Sequence, residues 1–204
     1  EELGADVYEV RDLVNSSPGR NVHLPGAGVG GHCIPKDPWL LCSPVRGFEP
    51  TVMPSARRLN DSMPLHMAGL IGKALEREGR KLAGSVVTLW GASYLENTDD
   101  LRNTPALTCA RALVSEGAEV RVVDPYVDRL EEFPVSQDAL EAAAGADAVG
   151  VITAHDAFRE VDLGQLRAAL RTPVLVDGRR VFEPDAARGA GLRFLAIGRG
   201  PHAV

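Results

Sequence analysis

Between His23 and Leu41 the chain reads HLPGAGVGGHCIPKDPWLL, and this stretch gathers the residue types that do covalent chemistry. Cys33 closes a glycine-rich run, Lys36 and Asp37 follow closely, and Pro25 and Pro35 restrict the backbone on either side. Glycines at 26, 28, 30 and 31 remove side chains where a ligand could approach backbone N–H groups. A thiol beside a rigid, anion-binding loop is suited to covalent catalysis, because a thiolate is a good nucleophile and leaves well. The residues alone fit equally a glycine–proline surface loop around an inert cysteine. Two other readings fail locally. A dinucleotide fingerprint must follow a strand and open a helix, yet Asn15 to Asn21 are polar and turn-like, and Cys-Ile-Pro-Lys-Asp-Pro is a poor helix start. No metal site is expected, because zinc needs three or four ligands and Cys42 and Cys109 form no paired motif with His32-Cys33.

The surrounding elements follow from periodicity. Leu3, Val7, Val10 and Val14 recur at helical spacing, so residues 1–14 form a helix that ends at Asn15-Ser16-Ser17-Pro18-Gly19. The cysteine loop runs to about Asp37, with a short helix through Trp39 to Leu41. Residues 54–62 and 64–79 read as two helices, with Ser62 and Pro64 opening the second. Met67, Leu70, Ile71, Ala74 and Leu75 line one face of it and Gly79 ends it; the face can pack within one subunit or join two. Beyond Lys81 strands and helices alternate. Strands are expected at Val86–Trp90, Val120–Val123, Ala148–Ile152, Val174–Val176 and Phe194–Ile197. Helices are expected at Pro105–Glu116, with Asn103 or Thr104 as cap, at Ala139–Ala144 and at Leu163–Leu170. That order predicts an α/β fold in which a helical segment precedes a Rossmann-like parallel sheet flanked by helices. The division into residues 1–80 and 81–204 falls near 79–85.

Composition narrows the function classes. The 204 residues carry a net charge of −6 and a pI near 5.4, which argues against nucleic acid as a main partner. Hydrophobic content of 45% suffices for an ordinary core. No apolar run is long enough to span a bilayer, no signal peptide is visible, and no repeat or low-complexity tract occurs. Three scattered cysteines make no disulfide framework, so a reducing cytoplasm is expected.

GVGGHCIPKDPWLL resembles the active-site segment of the UDP-glucose/UDP-N-acetylmannosamine/GDP-mannose nucleotide-sugar 6-dehydrogenases. Further segments support the resemblance in the same order along the chain. Val87 to Arg102 (VTLWGASYLENTDDLR) with Asn103-Thr104-Pro105 is similar to that family's strand, aromatic–lysine and Asp-x-Arg-x-Ser/Thr-Pro run. Val123-Asp124-Pro125 matches its Asp-Pro. Val176-Asp177-Gly178-Arg179-Arg180, with Gly191 and Ile197-Gly198-Arg199-Gly200, matches its last motif. His32-Cys33-Ile34 with Asp37-Pro38-Trp39, and Thr153-Ala154-His155 with Phe158, lean toward the N-acetylhexosamine branch.

The resemblance implies oxidation of the C6 alcohol of a UDP-sugar to a carboxylate, in two hydride transfers to NAD⁺. It implies Cys33 as the nucleophile that passes through a thiohemiacetal and a thioester, with Asp37 orienting or activating water. Asp37 before Pro38 also suits a turn cap. Leu24, Pro25, Gly26, Ala27, Gly28, Val29 and Gly30 match the segment that wraps the UDP-sugar. Tyr94 and Leu95 match positions beside the nucleotide, and Arg179 a substrate-contacting arginine, with Arg180 a surface charge. Lys36 and Arg102 match positions that reach the NAD pyrophosphate, and Arg102 can also pair with Asp99 or Asp100. The family's helical region joins two subunits, so the Met67–Leu75 face is expected to form a homodimer. An NAD-binding domain is expected ahead of Glu1, carrying the acid/base and oxyanion-stabilising groups that turnover needs. One position departs from the pattern. The family's lysine is Leu95 here, a loss of about 1.5–3 kcal/mol of charge-assisted hydrogen bonding. A non-catalytic nucleotide-sugar-binding or dimerisation module, or a degenerate relative, is the alternative.

Overall fold

Asp6 starts the first helix. Its carboxylate accepts the N–H groups of Tyr8 (2.8 Å) and Glu9 (3.4 Å), and α1 runs over Val7–Asn15. The computed structural model describes residues 1–199; Gly200, the last residue of the closing glycine motif, lies outside the described residues. The helix expected from residue 1 begins only at Val7, because Gly4 takes φ +71° and Leu3 is 95% exposed, so nothing holds an earlier turn.

Helix α2 spans Cys33–Cys42, which corrects the expectation of a loop to Asp37. The N–H groups of a first helical turn have no intrahelical acceptor, so Pro35 sacrifices nothing there. Helix α3 is one helix over Val52–Arg77, with Pro64 inside it, where two were expected. Pro64 cannot donate to the Asn60 carbonyl one turn earlier. The helix persists because Met67, Ile71 and Leu75 beyond the proline are fully buried.

The sheet comprises β1 (Val86–Trp90), β2 (Glu119–Val123), β3 (Arg129–Leu130), β4 (Phe133–Ser136), β5 (Ala148–Val151), β6 (Val174–Asp177) and β7 (Arg193–Ala196). Its order is β3-β4-β2-β1-β5-β6-β7, parallel throughout except for the β3–β4 pair. The expected α/β architecture with a parallel sheet is thus present. The β3–β4 hairpin was not expected. Neither were α6 (Asp156–Arg159) and α8 (Pro184–Gly189), which are too short to show a period.

Helices α3 and α4 (Pro105–Ser115) cover one face of the sheet around Met67, Ile71, Leu75, Leu89 and Leu113. Helices α5 (Ala139–Ala143), α6, α7 (Leu163–Ala169) and α8 cover the other around Trp90, Phe158, Leu166 and Leu175. Gly150 in β5 has no room for a side chain, since a Cβ would stand 2.8 Å from Ile71 Cδ1 and 3.0 Å from Leu89 Cδ2. This packing removes the Met67–Leu75 face of α3 as a dimer surface. Met67, Leu70, Ile71, Ala74 and Leu75 are all buried within one chain, so that face of α3 is not open to a second copy. Among the described residues, no helix is long and apolar enough to cross a membrane.

Candidate functional site

Loops leaving the carboxyl ends of β1, β5 and β6 meet where the strand order reverses beside β1. Open parallel sheets receive ligands at such a point. Gly91, at φ +96° and packed on Thr153, turns the chain out of β1. The loop that follows is held from below by Asp124. That buried carboxylate accepts the N–H groups of Ala92 (2.8 Å), Ser93 (3.0 Å) and Tyr126 (2.9 Å). His155 Nε2 lies 3.0 Å from Asp124 Oδ2 and 3.2 Å from Ser93 Oγ, while its Nδ1 accepts the Asn97 N–H at 2.9 Å. An accepting Nδ1 leaves the ring proton on Nε2, aimed at Asp124. Burial by itself pushes the Asp124 carboxyl up, but His155 and the N–H groups of Ser93 and Tyr126 hold it below the usual value. Ser93 and Asp124 address the same ring nitrogen, so this is a brace for the β1 loop and not a hydrolytic triad.

The segment Leu24–Gly31 lies across these loops, fastened at each step. Tyr8 donates its hydroxyl to the Pro25 carbonyl (3.2 Å), and burial pushes its phenol up to about 12. Ala27 is fully buried. Asn60 clamps Val29, accepting its N–H at 2.9 Å and donating to its carbonyl at 3.3 Å. Gly31 donates to the Arg102 carbonyl (2.8 Å) and accepts from Asn103 Nδ2 (2.9 Å). Gly28, at φ +121°, fits against the Asn60 carbonyl that Pro64 leaves without its helical donor. Proline inside α3 therefore helps create the seat for the loop.

Two of the glycines also make room for neighbouring protein. A Cβ on Gly26 would stand 2.7 Å from Arg179 Cδ, and one on Gly30 would stand 2.5 Å from the Asn103 carbonyl oxygen. They let the loop pack on protein. The N–H groups of Val29 and Gly31 are used internally; among the described residues those of Gly26, Gly28 and Gly30 meet no protein acceptor. Gly30→Ala is expected to lift the loop and destabilise the fold by about 1–3 kcal/mol, the range for overpacking. Urea denaturation checks it, and an unchanged midpoint would show that the loop contact is not needed.

Cys33 sits in the first turn of α2, exposed, with Lys36 and Asp37 three and four residues on along the same face. Lys36 Nζ lies 3.7 Å from Asp37 Oδ1 and 3.2 Å from His32 Nε2. Arg102 grips Asp100, with Nε 2.9 Å from Oδ1 and Nη2 2.5 Å from Oδ2, and so meets the second of its two expected acidic partners. The Asp100 carboxylate above all pushes the Arg102 guanidinium up, and Gly31, two residues before Cys33, joins this group through its bond to the Arg102 carbonyl and its packing on the Tyr94 ring. Arg179 Nη2 donates to Glu96 Oε1 at 2.6 Å. Leu95 is 45% exposed and makes no part of that pair. Arg180 is not a free surface charge. Its guanidinium lies 4.8 Å from the Tyr8 ring centre and 3.8 Å from Asp6, tying α1 to the sheet.

The structure brings Leu24–Gly30, Cys33, Tyr94, Arg102 and Arg179 around the carboxyl ends of the central strands. Tyr8, Asn60, Glu96 and Asn103 also hold this site; Tyr8 and Glu96 carry no local signature, Asn60 stands one turn before a helical proline that frees its carbonyl, and Asn103 was singled out only as a cap and motif residue. Among the described residues, no group of three or more His, Cys, Asp or Glu side chains could hold a metal ion.

Residues 1–62 match the central domain, and residues 88–184 the UDP binding domain, of the UDP-glucose/GDP-mannose dehydrogenase family. A UDP-N-acetyl-D-mannosamine dehydrogenase from Pyrococcus horikoshii is 37% identical over 98% of this chain and 46% of its own length. A UDP-glucose 6-dehydrogenase from Rhizobium meliloti is 33% identical over 98% of this chain and 47% of its own. The crystal structure of an NDP-N-acetyl-D-galactosaminuronic acid dehydrogenase from Methanosarcina mazei superposes with a TM-score of 0.92 at 36% identity, covering 99% of this chain and 46% of that one. The chain therefore spans about half the length of the relatives it matches.

Proposed function

This chain belongs to the UDP-glucose/GDP-mannose dehydrogenase family, and from that we propose that it supplies the nucleophile and the uridine-nucleotide surface of an NAD-dependent nucleotide-sugar 6-dehydrogenase. The substrate is a UDP-hexose, UDP-N-acetylmannosamine or UDP-N-acetylglucosamine by preference. One observation carries the reading: α2 sets Cys33, Lys36 and Asp37 on one face, starting two residues after Gly31, which donates to the Arg102 carbonyl, at the carboxyl end of the sheet where Gly26 packs on Arg179 and Gly30 on Tyr94.

The Cys33 thiolate adds to the C6 aldehyde, and the resulting oxyanion takes a proton to give a thiohemiacetal. Loss of hydride from C6 and of the hydroxyl proton leaves a thioester. Water, oriented by Asp37, adds to that carbonyl; the carboxylate forms and the thiolate leaves. NAD⁺, when bound, supplies the acceptor for both hydrides. The residues present fit that group, because the Lys36 and Arg102 side chains are 48% and 59% exposed and can turn their donors to a diphosphate next to Cys33. Leu24–Gly30, Tyr94, Leu95 and Arg179 surround the nucleotide sugar. Three free cysteines suit a reducing cytoplasm. A homodimer through the helical region uses apolar side chains of α3 that remain exposed, Val52, Met53, Leu59 and Leu65.

Titration calorimetry of the 204-residue chain tests the reading. UDP-N-acetylmannosamine and UDP-glucose are expected to bind at least about tenfold tighter than uridine, because a diphosphate gains charge-assisted hydrogen bonds. A folded chain that binds no UDP-sugar rules the reading out. Leu95 favours a second reading, a nucleotide-sugar-binding module without turnover. It predicts the same binding but no NADH when a dinucleotide-binding domain is joined to the chain.

A further inference from the structure

Arg179 comes from the loop after β6 and Glu96 from the loop after β1, so their 2.6 Å ion pair reaches across the end of β5. The stem of Arg179 rests on Gly26, which leaves the guanidinium little room to turn elsewhere. The two side chains are 18% and 30% exposed, a setting in which charge is only partly screened. Burial by itself pushes the Glu96 carboxyl up, but its own backbone N–H and Arg179 hold it below the usual value, so it is ionised at neutral pH. The next residue, Leu95, brings no charge. This corner of the site thus holds one base already matched by one acid.

We propose that Glu96 is an affinity- and specificity-determining residue of the nucleotide site, its carboxylate competing with the phosphate of a nucleoside diphosphate for the Arg179 guanidinium. The proposal rests on the reading above, that Arg179 meets the nucleotide. A phosphate arriving at Arg179 must displace Glu96 or sit beside its negative charge. The uncharged part of the ligand, base and ribose, does not meet that cost. Glu96 therefore lowers affinity for every phosphate-bearing ligand and shifts selection toward contacts with base and sugar.

Calorimetry with UDP and with uridine on wild type, Glu96→Gln and Glu96→Ala tests it. Glutamine keeps the shape and an acceptor for Arg179 while removing the charge; alanine removes both. Both variants are expected to bind UDP about two- to fivefold tighter than wild type, the scale of a partly exposed ion pair, with uridine unchanged. Thermal melting confirms that each variant is folded. Unchanged UDP affinity in both variants overturns the proposal. Weaker affinity also overturns it and makes Glu96 a residue that positions Arg179. If UDP binds neither wild type nor either variant, the nucleotide reading itself fails, and the proposal falls with it.

Discussion

Cys33→Ala is expected to stop uronate formation, by at least about three orders of magnitude, in any protein that joins these residues to a dinucleotide-binding domain. The reason is specific to the second oxidation. Removing hydride from a C6 alcohol needs a base and an acceptor but no thiol. Removing a second hydride needs a tetrahedral carbon, which addition of Cys33 to the aldehyde creates. The variant should therefore yield at most one NADH per sugar and accumulate aldehyde, where wild type yields two NADH and a carboxylate. Spectrophotometric NADH yield at limiting substrate checks this, and two NADH per sugar from the variant would remove Cys33 from the mechanism. The chain alone offers a simpler check. Cys33 is exposed, Cys42 half-buried, and Cys109 buried with its thiol pushed up to about 12. Iodoacetamide should label them in that order, with Cys109 inert until the chain unfolds. Labelling of Cys42 at the rate of Cys33 would contradict it.

Asp147→Ala is expected to produce the largest loss of stability. The side chain is wholly buried at the amino end of β5, opposite the site. It accepts Arg80 Nη2 (2.6 Å), Arg171 Nε (2.8 Å), Thr172 Oγ1 (2.9 Å) and the Val86 N–H (2.9 Å), with a further bond from Arg171 Nη2. Those partners stand at the starts of β1 and β6, so one carboxylate ties three strands. Removing one member of a buried charged cluster typically costs about 3–5 kcal/mol. Arg80 and Arg171 remain 40% and 49% exposed and can turn to water, so the low end, about 3 kcal/mol, applies. The melting point should fall by roughly 6–12 °C for a domain of this size.

The same residue gives the acid response its sign. Burial by itself pushes the Asp147 carboxyl up, but Arg171, Val86, Thr172 and Arg80 hold it well below the usual aspartate range. Its contribution is complete above about pH 4, the ordinary aspartate value, and is lost as pH falls through the lower folded value. Asp147→Asn should flatten that part of the acid-unfolding curve. A variant that unfolds with the same acid profile as wild type would show that Asp147 is not the titrating brace.

How much of this was legible depends on the range of the forces involved. The strands at Val86–Trp90 and Val174–Val176 were legible because short apolar runs bounded by glycine or proline have few other fates. A cap at Asn103 or Thr104 was legible because capping acts within three residues, and the structure selects Thr104. The start of α2 was not, because Pro35 reads as a helix breaker although it falls in a first turn, where its missing N–H removes no helical bond. Nor was the continuity of α3, whose proline is tolerated because buried Met67, Ile71 and Leu75 anchor the turns beyond it. The β3–β4 hairpin, with Arg129–Leu130 as one of its strands, was too short to show an alternation.

By itself the sequence determined which thiol stands in the glycine–proline segment, which family motifs accompany it, and that helices precede an alternating parallel sheet. Those facts reside in residue identity and near-neighbour spacing. The tertiary structure alone decided that Gly26 and Gly30 make room for Arg179 and Asn103, and that the apolar face of α3 turns inward onto the sheet. It alone paired Arg179 with Glu96, 83 residues away. Steric exclusion, burial and Coulomb attraction act through space, and which distant groups they join depends on how the elements pack.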